Sequence, residues 1–89
     1  MSNLIVCVVR DSATAQYGAP LCFVARGQAI RWFTDAVNQA DKENQYYMHP
    51  DDFELFEIGL YETDDAGTQL HPPVSVVRGK DVAIRDLNS

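Results

Sequence analysis

The sequence predicts an α+β fold: a small antiparallel sheet in the strand order 2-1-3-4, with one helix on one face, in the order β-β-α-β-β. Three observations predict it. Leu4 to Arg10 is a run of aliphatic and β-branched residues, the pattern of a strand buried on both faces. Ala29, Ile30, Phe33, Ala36, Val37 and Ala40 recur at helical spacing and fall within a stripe about 100° wide. Phe56, Ile58 and Leu60 alternate with Glu57, Gly59 and Tyr61, the period of a strand with one buried face.

The remaining elements follow in chain order. Asp11 to Ala19 is small and polar and predicts a loop. Pro20 opens a second strand, Leu21 to Ala25, and suits a strand's first residue. The helix runs from Gly27 to Ala40, with Arg31, Thr34, Asp35 and Asn38 opposite its apolar stripe and Trp32 at the edge. Asp41 to Tyr47 ends it raggedly. His49 to Asp52 predicts a short helical turn, with proline at its first position and two carboxylates at its positive end. The third strand is Phe53 to Glu62. Thr63 to Gly67 predicts a hairpin turn in which Gly67 takes the positive φ. Thr68 to Leu70 returns as a short strand, broken by Pro72-Pro73. Val74 to Val77 reads as a further edge strand or a docking arm. Residues 1–77 then form one domain, and 78–89 a charged, partly mobile tail. The predicted core comprises Val6, Val8, Phe33, Val37, Phe56 and Ile58.

Composition narrows the function. The chain has 89 residues, 46% apolar and 22% charged, which are globular values and room for one thin core. One helix covers one sheet face, so a second copy is expected on the other, giving a homodimer. Lys and Arg number 7 against 13 Asp and Glu, a net charge of −6. Such a chain repels phosphate and anionic lipid in bulk, so nucleic acid needs a local basic patch or a protein partner. The start has no basic segment and no apolar run long enough for export or a membrane span, which predicts a cytoplasmic protein with no membrane partner.

Signatures of catalysis are lacking. His49 and His71 each precede a proline at a turn, and no nucleophile elbow, zinc-protease motif or phosphate loop is present. Cys7 and Cys22 lie inside apolar runs and read as buried thiols. Neither metal-ligand spacing nor a calcium loop occurs around Asp51-Asp52 or Asp64-Asp65, which read as turn residues. No enzyme, cofactor or metal is expected. The basic residues are Arg10, Arg26, Arg31, Lys42, Arg78, Lys80 and Arg85. Arg26 and Arg31 fall near the helix start beside Trp32, with Tyr17, Tyr46 and Tyr47 elsewhere. Arginine with exposed aromatics suits single strands, because bases stack on rings while guanidinium takes phosphate. The plainer reading pairs these arginines with the surplus carboxylates and packs the tyrosines on the sheet.

A resemblance carries more. Val9-Arg10-Asp11, Phe23-Val24, Ala29 to Asn38, His49 to Phe56, Ile58-Gly59 and Asp64 to Thr68 occur in an order and spacing that resembles the small non-structural protein of gokushoviruses. These are single-stranded-DNA phages of the Microviridae. The likeness spans roughly residues 4 to 70. It implies a non-enzymatic, DNA-binding phage regulator, the counterpart of the isometric coliphage C protein. That protein switches genome synthesis from double-stranded replication to single-stranded synthesis coupled to packaging. The implied partners are single-stranded DNA, viral or host replication proteins, and the procapsid. The expected nucleic-acid contacts are Arg10, Arg26, Arg31, Trp32, Arg78 and Lys80. Two alternatives stay open: a dimeric protein–protein adaptor that touches no DNA, and a host-takeover factor acting by acidic mimicry.

Overall fold

The doubly apolar run becomes the centre of the sheet. A computed structural model describes residues 3–85, in which β1 (Asn3–Asp11) is paired on both edges. One edge is taken along its whole length by β4 (Phe53–Glu62). The other is shared by β2 (Gln16–Tyr17) and β3 (Leu21–Phe23), and β4 also pairs β5 (Thr68–Arg78). All pairings are antiparallel. Between β3 and β4 run α1 (Arg26–Asn38), α2 (Gln45–Met48) and a 3-10 turn at Pro50–Asp52, and α3 (Gly79–Val82) follows β5.

The α+β class is as expected, and the order differs in detail. The path is β2-β1-β4-β5, with β3 beside β2 on β1. The additional strand β2 lies within the expected loop, where a two-residue strand leaves no periodicity to read. It forms because the Asp11 carboxylate accepts the Ala13 N–H at 2.9 Å and Ala15 adopts a φ of 57°, which reverses the chain tightly. In the second hairpin the positive φ belongs to Ala66 (61°) rather than to Gly67. Gly67 instead donates its N–H to the Asp65 side chain at 2.9 Å.

The prolines do not break β5. It is an edge strand, where a missing N–H is tolerated. Glu57 pairs with Val74 and Gly59 with Leu70, so His71, Pro72 and Pro73 bulge opposite Ile58 alone. Gly59 is required at this place, because a Cβ there would stand 2.2 Å from the Gln69 carbonyl oxygen.

The helices form a layer on one face. Ala29, Phe33 and Val37 of α1 are fully buried against Cys7, Val9, Phe23 and Leu55, with Ile5, Trp32, Tyr46, Phe53 and Val82 packed around them. This corrects the expected core. Phe33 and Val37 hold their place, Val6 and Val8 are buried as expected but on the face away from the helix, and Leu55 takes the place of Phe56 and Ile58 on the helix side. Two features hid the phase. β1 is apolar on both faces, so its alternation carries no sign. β4 shifts register where Val6 pairs with Gly59 and Cys7 with Glu57, so Ile58 is skipped.

Residues 78–85, expected within the charged tail, also pack on this layer. The Asn38 amide donates to the Thr34 and Val82 carbonyls, both at 2.9 Å, and its oxygen accepts the Ile84 N–H at 2.9 Å. The Arg85 guanidinium lies 3.8 Å from the Tyr47 ring centre and donates to the Val37 and Tyr47 carbonyls. Gly79 is buried against the 3-10 turn, where a Cβ would meet the Pro50 carbonyl oxygen at 2.1 Å.

A polar clasp ties the β5 bulge to the helix start. Arg26 donates to one oxygen of Glu57 at 2.9 Å, and the His71 Nε2 faces the other at 3.2 Å. The His71 Nδ1 faces the Pro72 carbonyl at 2.8 Å. Both ring nitrogens face acceptors, and only the imidazolium donates from both. The Pro72 carbonyl first, and Glu57 with it, holds the His71 pKa above its ordinary value. The Arg26 hydrogen bond holds the Glu57 carboxyl below its own.

Two predictions follow from this packing. Phe33→Ala costs about 3–5 kcal/mol and Leu55→Ala about 2–5 kcal/mol, with Ile58→Ala below both, as measured by urea unfolding; a larger loss at Ile58 than at Leu55 would reverse the assigned face. For the clasp, a histidine pKa raised on folding adds stability that is present below its unfolded value and lost as pH rises through the folded one. The stability difference between the native chain and His71→Ala therefore shrinks as pH rises from the ordinary histidine range through the raised folded value. A difference that grows over that range would show that His71 is not held as the imidazolium.

Candidate nucleic-acid interface

The sequence-predicted contacts separate onto two sides of the sheet. Arg26 opens α1 and is held by Glu57 on the helix side. Arg31 is exposed on α1. Trp32 is half-buried, its ring 5.7 Å from Phe23 and 6.4 Å from both Phe33 and Tyr46. These rings pack on one another, so Trp32 offers an edge rather than a free stacking face. Lys80 is exposed in the first turn of α3.

Arg10 and Arg78 lie on the opposite face. In an antiparallel pair, residues directly opposite share a face. Cys7 and Val9 point to the helix, so Val6, Val8 and Arg10 point away. Arg10 pairs with Tyr17 on β2 and with Glu54 on β4, and Glu54 pairs with Arg78 on β5. A single row thus crosses the sheet: Tyr17, Arg10, Glu54, Arg78. In the next row Val8 pairs with Phe56, and Phe56 with Ser75. The Tyr17 and Phe56 rings meet edge to face at 5.7 Å, and the Arg10 guanidinium stands 5.8 Å from the Tyr17 ring centre. The Ser75 hydroxyl donates to Glu54 at 2.5 Å.

This face differs in chemistry from the molecule as a whole. Against a net charge of −6, its strand positions carry Arg10 and Arg78 with Glu54 as the sole carboxylate among the described strand residues that point there. Tyr17 is 48% exposed, while Val6 and Val8 on the same face are only 7% and 4% exposed. The arrangement offers one exposed tyrosine ring, met edge to face by Phe56 and flanked by guanidinium groups, on an open sheet. That combination stacks bases and takes phosphates.

Sequence reading named Arg10 and Arg78 but not Glu54 or Phe56 as their neighbours. Phe56 was assigned to the core on the alternation of β4, and the shift at Ile58 overturned that phase. Tyr17 carried a signal as an aromatic in a polar loop, but its partner was set by the two-residue strand. The cysteines stay apart from this chemistry. Cys7 is buried, and burial first, with Glu57 beside it, pushes its thiol up to about 11. Cys22, expected as a buried thiol, is exposed: it sits on the short outer strand β3 and pairs with Val6, so it points to the face that no helix covers, and both thiols are free. Among the described residues no group of three or more His, Cys, Asp or Glu is placed to hold a metal ion, and no helix is long and apolar enough to cross a membrane.

Comparison with known proteins agrees with the resemblance drawn from the sequence. A family model described as "Phage ORF5 protein" matches residues 4–82. Protein ORF5 of Chlamydia phage 1 is 33% identical over 58 residues, 63% of this chain and 60% of that protein. The match therefore spans less than two thirds of that relative's length. No solved structure matches the chain. With nearly its whole length covered by the family model and a gokushovirus homologue at this identity, the chain belongs to the Phage ORF5 protein family and is a small phage protein of the gokushovirus type.

Proposed function

We propose that this phage protein associates with single-stranded DNA through the open sheet face, and that it acts by this contact in the switch from genome replication to single-stranded DNA packaging. The observation that carries the contact is the row Tyr17, Arg10, Glu54, Arg78. It places two cations and an exposed ring on one flat surface of an otherwise acidic molecule. The packaging role rests on the family resemblance, and it asks for binding without catalysis. Arg26 is a weaker candidate than its place in the sequence suggested, because phosphate would have to displace Glu57 from it.

A second reading has its own support. Leu70 and Val74 on the outer strand β5 are 69% and 47% exposed. An outer strand with apolar side chains suits a protein partner or a second copy. On this reading the protein is a dimeric adaptor to the replication complex or procapsid, and touches DNA only through that partner.

The readings part on direct binding. In fluorescence anisotropy, a labelled strand of ~30 nucleotides binds the native chain with an affinity that falls as salt rises. The double variant Arg10→Ala/Arg78→Ala lowers the slope of log affinity against log salt by about 1.4, since each phosphate contact on a single strand contributes about 0.7. Arg26→Ala/Arg31→Ala changes it little. Loss of binding in the second variant alone would move the interface to the helix side. Absence of binding at micromolar protein would leave the adaptor.

A further inference from the structure

The row on the open face contains a group that phosphate tracking does not need. Glu54 lies between Arg10 and Arg78, and a carboxylate there weakens attraction to any DNA backbone. Among the described residues the two ion pairs are both at Glu57, so neither arginine closes on Glu54. The Ser75 hydroxyl instead holds Glu54 Oε2 at 2.5 Å and fixes the carboxylate's orientation. Oε1 and a second lone pair of Oε2 remain open to an incoming donor. Phe56 stands two residues on along the same face of β4, about 7 Å away by strand geometry. Tyr17 and Phe56 meet edge to face, so a base stacks on one ring alone; on the exposed Tyr17 ring its edge runs along the row past Arg10 toward Glu54, two strand spacings or about 10 Å across.

We propose that Glu54 is a specificity-determining residue that reads this base, and that the base it favours is guanine. The inference rests on the reading that single-stranded DNA binds this face. An ionised carboxylate accepts hydrogen bonds and donates none. Guanine presents two adjacent donors on its pairing edge, N1–H and the 2-amino group, which match the two carboxylate oxygens. Cytosine and adenine each present one amino group beside a ring nitrogen that repels the carboxylate. Thymine presents one N–H between two carbonyls. The order of preference is guanine first, cytosine and adenine next, and thymine last. The flanking arginines serve every sequence alike, so they set affinity while Glu54 sets the choice.

The test compares three labelled strands of equal length by anisotropy, in lithium salt to keep guanine from folding on itself. One alternates guanine and thymine, one replaces each guanine by inosine, which lacks only the 2-amino group, and one is all thymine. The native chain binds the guanine strand about tenfold tighter than the thymine strand, with inosine between them. Glu54→Gln keeps the native circular dichroism and binds every strand more tightly, because a negative charge is gone, but the guanine-to-thymine ratio falls to within about twofold. Equal native affinity for all three strands, with salt-sensitive binding retained, overturns the assignment and leaves the DNA reading intact. A guanine preference that survives in folded Glu54→Gln overturns Glu54 as the reader. No binding to any strand overturns both.

Discussion

The structure depends on one constraint: the central strand is apolar on both faces, and the chain supplies a helical layer for only one. β1 contributes Cys7 and Val9 to the helix side and Val6 and Val8 to the other. The helix side is closed by Phe33, Val37 and the rings around Trp32. The other side has to be closed from within the sheet. Val8 pairs with Phe56, whose ring meets Tyr17 of β2 edge to face, and Val6 and Val8 are buried with no helix over them. These two rings are only partly covered themselves. An aromatic surface facing water is thus a consequence of the way the core is divided, and the arginines at the same strand ends make it a place for an anion.

The same constraint explains what the sequence revealed and what it concealed. Element types were legible wherever a period was long and one-sided: the stripe of α1 and the whole span of β4 read directly. Phase was not legible. With both faces of β1 apolar, nothing local says which valines meet the helix, and a one-residue shift at Ile58 reverses every side chain beyond it. Gly59 marks that place in the sequence, but only the nearby Gln69 carbonyl shows why a glycine stands there. Pro72-Pro73 reads as a break, yet on an edge strand the pair makes a bulge, and the bulge carries His71 onto Glu57. The end of the chain read as charge alone, because its anchoring depends on Asn38 and Tyr47, more than thirty residues earlier in the chain.

The candidate site was half legible for a related reason. Residue type pointed to Arg10, Arg26, Arg31, Trp32, Arg78 and Lys80 as a set, but function needs them on one surface. Cross-strand register decides that, and it is the property that sequence patterns carry least well. Register put Arg10 and Arg78 on either side of Glu54. A hydrogen-bonded ion pair took Arg26 out of contention, and three neighbouring rings took much of Trp32.

Net charge and local charge then cease to conflict. A total of −6 describes the far field, which repels DNA in bulk. At physiological salt that field decays within about 8 Å. Contact with a strand is decided inside this distance, by the groups on the surface it meets. There the two arginines outweigh the single carboxylate, and the rings add a term that salt does not screen. On the proposed reading, such a surface would attract a strand weakly from afar and hold one delivered to it. A protein that acts on a strand already being displaced by replication, rather than searching for one in solution, has no need of long-range attraction. If the proposed contact with a single strand holds, an acidic chain with a small cationic and aromatic face fits that division of labour, because bulk repulsion would discourage indiscriminate coating of DNA while the face would supply the local grip.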